Sequence, residues 1–209
     1  MRTRGLLAGL SLLAVTAACT PDPAANAPSP SSAVRDQVRP GFEDLQARWW
    51  NWAAGQPSAT NQVTDHTGEF CALDQTGDRW LLAGSFGTTE ERTCTVPEGR
   101  SLAGPGVTRL VGGESDCRDF LAKASAEVIF DGNEVPLSRV PFTQFALRGV
   151  AGNPASSGAG TQLAHGCGLW FEIPHPGVGP HELTIRGQAS ELSVQVTYHL
   201  VVAPGLGRS

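Results

Sequence analysis

One lysine, Lys123, stands among 15 basic side chains, and charged residues make up only 17% of the 209-residue chain. Against them are 20 acidic residues, for a net charge of −5. This balance argues against a general nucleic-acid binder, which needs a basic stripe to track phosphates. The only methionine is Met1, so no internal thioether can serve as the weak axial ligand of a type-one copper site. No uncharged run reaches the roughly 20 apolar residues that cross a bilayer as a helix. Gly-x-Ser-x-Gly, His-Glu-x-x-His, Cys-x-x-Cys, EF-hand spacing, phosphate loops and dinucleotide loops are all missing. No cofactor and no metal is expected.

What the chain does have is 25 Gly, 15 Pro and 40% hydrophobic residues, a globular composition with many turns. It also has five cysteines, an odd number. Arg2 and Arg4 precede an uncharged run from Gly5 to Ala18 that ends in Val15-Thr16-Ala17-Ala18-Cys19. A short basic start, an apolar stretch too short to span and small residues at a cut site describe a secretory signal. The Cys at that cut resembles a bacterial lipoprotein signal, in which Cys19 becomes the first mature residue and carries fatty acyl chains such as palmitate. Residues 1–18 are then signal peptide, and 19–40 are the lipidated Cys and a Pro/Ala/Ser-rich tether. Residues 41–203 form one domain, and 204–209 are a flexible tail. Removing 1–18 leaves 13 basic side chains against 20 acidic ones, a net charge of −7. Anionic lipid repels such a body, so the acyl anchor must do the attaching. The expected location is the bacterial cell membrane, with the domain on the extracytoplasmic side.

Within the domain, Phe42, Leu45, Trp49 and Trp52 fall on one helical face. Glu43 and Asp44 suit the first turn of that helix, and Gly55 and Pro57 end it. The helix is expected to cover an open edge or end of a sheet. Trp50 lies about 100° off the stripe and is a candidate for exposure at the rim. From Thr67 onward the pattern is strands and turns. Strand candidates are Arg79–Phe86, Arg92–Val96, Glu127–Phe130, Thr143–Val150, Gly168–Ile173 and, most clearly, Leu192–Val202. In the last, Leu192, Val194, Val196, Tyr198, Leu200 and Val202 share one face. A short helix is expected at Ser115–Ala124. The sum is a mostly-β antiparallel sandwich with one or two short helices, its topology undecided between jelly-roll-like and immunoglobulin-like.

With Cys19 assigned to lipid, Cys71, Cys94, Cys117 and Cys167 remain to pair. Sequence leaves three pairings open, and Cys71–Cys94 with Cys117–Cys167 is preferred. Candidate binding residues are Trp50, Trp80 and Trp170, as aromatic stacking surfaces, together with Asp65 and His66. A weaker candidate for catalysis or metal is the His-rich stretch of His165, His175 and His181. Asp78 and Glu90 are conceivable paired carboxylates, but spacing alone fixes no distance between them.

Three segments resemble a group of secreted bacterial proteins of unassigned activity. They are Asp65-His66-Thr67-Gly68-Glu69-Phe70-Cys71, Gln75-Thr76-Gly77-Asp78-Arg79-Trp80-Leu81-Leu82-Ala83-Gly84 and Arg92-Thr93-Cys94-Thr95-Val96-Pro97-Glu98-Gly99-Arg100. Pro180–Ile185 and Val196–Leu200 extend the likeness. After Arg100 the group tends to an aromatic Phe-Phe-Pro run, whereas this chain reads Ser101-Leu102-Ala103-Gly104-Pro105. The resemblance implies a shared exported fold and supplies no catalytic residue. The functional expectation is a non-catalytic envelope lipoprotein, a binding or structural module for protein or glycan. An envelope hydrolase acting on glycan or lipid through a loop-end cleft with His175 or His181 is the alternative.

Overall fold

The computed structural model describes residues 39–205. The signal sequence, Cys19, the tether up to Val38 and the tail beyond Gly205 lie outside the described residues. The first element is α1 (Phe42–Ala54), capped by Gly41 at φ +83° and carrying Glu43 and Asp44 in its first turn. A loop with a single 3₁₀ turn, Ser58–Thr60, leads to β1 (Arg79–Leu81), β2 (Thr89–Pro97) and β3 (Ser101–Leu110). Then come α2 (Glu114–Lys123), β4 (Ser125–Phe130), β5 (Asn133–Glu134), β6 (Ser138–Gly149), β7 (Gly160–Ile173), β8 (Gly179–Ala189) and β9 (Leu192–Ala203).

The strands form two packed sheets, a β-sandwich. One has four strands in the order β1-β3-β7-β6, and the other has five in the order β2-β9-β8-β4-β5. Most pairings are antiparallel, as expected. Two are parallel, β1 with β3 and β2 with β9. The first follows from the path of the chain, which crosses from β1 in one sheet to β2 in the other and returns as β3.

Two cores result. The interlayer core joins Leu102, Val107, Leu169 and Phe171 of the four-stranded sheet to Val96, Ile185, Val196 and Leu200 of the five-stranded one, with α2 adding Cys117, Phe120 and Leu121. The second core lies on the outer face of the four-stranded sheet. There Phe42, Leu45, Trp49 and Trp52 of α1 meet Val140, Leu147, Ala164 and Trp170. The helix therefore covers a sheet face, not the edge or end expected from sequence. The four-stranded sheet is consequently buried on both faces, which is why β3 reads as a run of buried residues. The five-stranded sheet keeps one wet face, and β2 alternates exposed and buried along its length.

Disulfides Cys71–Cys94 and Cys117–Cys167 are both formed, with Cα separations of 6.2 and 6.0 Å. The first ties the long loop after α1 to β2. The second ties α2 to β7.

Candidate functional site

The strand Arg79–Phe86 expected from sequence is shorter than its pattern. β1 pairs only with Ser101, Leu102 and Ala103 of β3, and the chain then turns away toward β2. Beyond Ala103, the Gly104–Leu110 half of β3 has β7 on one side. Among the described residues, no strand lies on its other side. A bulge between Pro105 and Val107 interrupts the register there.

Along this open edge runs a groove of about 520 Å³. Its apolar wall is Trp49, Trp50, Val63, Phe86, Leu192 and Val194. Phe86 stands 46% exposed at the lip. Three polar side chains of the wall are already engaged. Trp49 Nε1–H donates to the Leu82 carbonyl at 2.8 Å, the Ser85 hydroxyl to the Thr88 carbonyl at 2.6 Å, and the Thr108 hydroxyl to the Cys167 carbonyl at 3.0 Å. A smaller cavity of about 300 Å³ shares Arg109, Leu110 and Ser190 with the groove and continues past Asp116, Asp119 and Lys123 of α2.

Behind the groove lies Arg92, only 1% exposed. Its Nε–H donates to the Asp65 carbonyl at 2.7 Å, and its Nη2 donates to the Val63 carbonyl at 3.0 Å. Nη1 reaches the Ala83 and Gly84 carbonyls, both at 3.0 Å, and the Tyr198 hydroxyl at 2.9 Å. That hydroxyl accepts from Ala83 N–H at 3.0 Å and donates to the Ala83 carbonyl at 2.8 Å. One guanidinium thus fastens two loops, each carrying groove residues, to β2. Parity along β2 was the available signal. Glu90, Arg92, Cys94 and Val96 alternate with exposed residues, so a disulfide cysteine at Cys94 places Arg92 on the inner face.

Asp65 is buried and acts as a loop organiser. Its carboxylate accepts from the N–H groups of Thr67 and Phe70, each at 2.9 Å, and from the Thr67 hydroxyl at 3.1 Å. Burial alone would raise its pKa, but these donors outweigh it and hold the carboxyl below its ordinary range. Next to it, His66 is an exposed ring whose Nδ1 lies 2.7 Å from buried Glu90. Burial likewise pushes the Glu90 carboxyl up, and Thr88, His66 and Arg92 together bring it below its ordinary value.

All three tryptophans expected as stacking surfaces are buried: Trp50 at 5%, Trp80 at 4% and Trp170 at 0% exposure. Trp170 lies under α1, donating from Nε1 to Gln46 at 3.2 Å and meeting Trp49 edge-on at 5.7 Å. Trp80 faces the interlayer core with Arg100 over its ring at 5.4 Å. Trp50 is sealed against Trp49, their centroids 5.1 Å apart, and its Nε1 has no acceptor. The expected rim exposure of Trp50 fails because its ring packs between Trp49 and the sheet, with Nε1 close to Gly166 of β7. None of the three offers a free ring face for a sugar.

The histidine stretch does not converge. His165 stacks on Phe142 at 4.8 Å and lies 3.3 Å from Gln144. His175 is an exposed turn residue at φ +40°. His181 does meet a carboxylate, with Nδ1 2.7 Å from Asp131 Oδ2, but its Nε2 lies 2.7 Å from the Gly177 carbonyl. Two acceptors facing both ring nitrogens favour the imidazolium, which has no lone pair to act as a base. Asp78 is largely exposed beside Arg48, whereas Glu90 is buried beside His66, so the two carboxylates serve different surroundings. Among the described residues, no group of three or more His, Cys, Asp or Glu is placed to share a metal.

The Asp131–His181 pair makes a prediction about pH. The hydrogen bond to Asp131 raises the His181 pKa, burial opposes this, and the Gly177 carbonyl adds to the rise. Burial pushes Asp131 up, but His181 and the Glu182 N–H outweigh it and bring it below its ordinary range. The raised histidine stabilises fully below its unfolded pKa of about 6.5, and that contribution fades as pH climbs through the folded value. The lowered aspartate stabilises above about pH 3.9, and its contribution fades as pH falls through the folded value. His181→Gln should therefore lower Tm most at about pH 5 and least at about pH 9. A constant deficit across that range would remove the charge from the explanation.

Comparison of the chain with known protein families, with curated proteins and with solved structures finds no match.

Proposed function

We propose that the chain is a non-catalytic binding module of the bacterial cell envelope, held at the membrane by acyl chains on Cys19. The observation that supports binding is the apolar groove along the open half of β3, a concave surface with few polar groups in its wall. The absence of catalysis in this reading rests on the histidines: His181 is engaged at both nitrogens, and among the described residues no histidine hydrogen bond reaches a serine, threonine or cysteine. A protein partner is favoured over a glycan because the five tryptophans are buried. The hydrolase alternative draws on the 2.7 Å Asp131–His181 contact alone.

Anchoring is tested by Cys19→Ala. The variant should appear in the medium, whereas the unaltered chain sediments with membranes. Full membrane retention of the variant would refute lipid attachment at Cys19. Hydrolysis of any member of a broad ester and glycan panel, abolished by His181→Gln, would replace the binding reading with the hydrolase one.

A further inference from the structure

We propose that the groove receives an extended segment of a partner polypeptide, which adds a strand to the open edge of β3. This deepens the binding reading above and rests on it. The geometry begins with register. Val111 N–H donates to the His165 carbonyl of β7 at 2.9 Å. In an antiparallel pair, alternate residues turn their N–H and C=O groups to the same neighbour. Val111 and Arg109 therefore face β7, and Thr108 and Leu110 turn theirs to the side where no described strand lies. A sheet edge with unused donors and acceptors is a template for another strand.

The surroundings select which strand. An acyl chain would fill apolar space but leave the edge amides and carbonyls without partners. A polypeptide supplies both apolar side chains and backbone partners. Along one stretch the wall is Trp50, Phe86, Leu192 and Val194, suited to apolar residues at alternate positions. Toward α2 the lining becomes charged. Asp116 and Asp119 are exposed there and face the smaller cavity with Lys123 and Arg109. Glu191 on the β8–β9 turn lines the groove and is exposed as well. Three carboxylates against two cations favour a basic residue at the α2 end of the incoming segment. The inferred partner chemistry is thus an extended run of alternating apolar residues with Arg or Lys at one end.

The test pans a library of random short peptides against the purified full-length chain, followed by amide hydrogen exchange with the best binder. Enriched sequences should alternate apolar residues and carry a basic one at one end, and binding should slow exchange at Thr108 and Leu110. Methylating alternate backbone nitrogens of that peptide should weaken it about ten-fold or more, since its side chains remain but its donors are gone. Phe86→Ala, at an exposed position with little folding cost, should also weaken it. The proposal is overturned by no enrichment over the Phe86→Ala protein, or by unchanged exchange at Thr108 and Leu110. Equal binding of the methylated peptide also overturns it. So does saturable binding of a fluorescent fatty acid that excludes the peptide, which would assign the groove to lipid. Each of these outcomes is independent of where Cys19→Ala protein is found, so the anchoring reading and the groove fail separately.

Discussion

Arg92→Lys protein should melt on the order of 10 °C below the unaltered chain. The side chain is buried among neutral acceptors, with four backbone carbonyls and one hydroxyl within 3.0 Å. A lysine keeps the charge but concentrates its donors on one nitrogen, which cannot span carbonyls on two separate loops. The carbonyls of Val63, Asp65, Ala83 and Gly84 then lose a donor in a place water does not readily reach. Orphaned buried groups cost about 1–3 kcal/mol each, and part of this falls on each of the carbonyls that lose their donor. For a domain of this size, each kcal/mol is about 2–4 °C in Tm. Arg92→Met should be similar, since it removes the charge but orphans the same carbonyls. Thr95→Ala, on the exposed face of the same strand, should stay within about 0.5 kcal/mol. Scanning calorimetry decides it: Arg92→Lys melting within about 2 °C of the parent would mean that water or relaxation replaces the guanidinium.

Removing either disulfide should cost roughly 3 to 4 kcal/mol. The bridged cysteines are 23 and 50 residues apart in sequence. Because loop entropy grows only with the logarithm of length, the longer loop should exceed the shorter by less than about 1 kcal/mol. Together the two bridges approach the whole stability of an ordinary domain, about 5–15 kcal/mol, so the quadruple Ala variant should be unfolded at 37 °C. The Cys71–Cys94 bridge and Arg92 hold the same loop to the same strand, and their losses should not add. Thiol titration of unreduced, denatured Cys19→Ala protein should find no free thiol, and reduction should release one from each of Cys71, Cys94, Cys117 and Cys167. Four thiols before reduction would refute the pairing.

Legibility in the sequence followed hydration. β9 was read almost to its ends because its sheet has one wet face, which writes itself as alternation from Leu192 to Val202. α1 was read for the same reason, and α2 nearly so, at Glu114–Lys123 against an expected Ser115–Ala124. β3 was not read as a strand. With α1 over one face and the second sheet over the other, its residues from Ser101 to Val107 are all buried. Gly104-Pro105-Gly106 also disguises it as a turn. The groove was hidden with it, because an open edge is a property of what fails to pair. The burial of Trp50 is not legible from its angle on the helix, because angle says nothing of a sheet broad enough to reach that flank. β8 is not among the expected strands because it opens with Gly179-Pro180, and the bulk of its apolar face is only Leu183 and Ile185.

The parallel pairing of β2 with β9 has a consequence for the order in which the domain is completed. Among the described residues, β9 is the one strand beside β2, and β9 also brings Tyr198 to Arg92. A chain that emerges amino end first exposes β2 long before its neighbour arrives, and such distant pairing is slow. Until Leu192–Ala203 emerges, Arg92 lacks a phenol and β2 lacks a sheet. A chain cut before Leu192 should therefore leave the Arg92 side of β2 open and be cleaved by protease faster than one that carries β9.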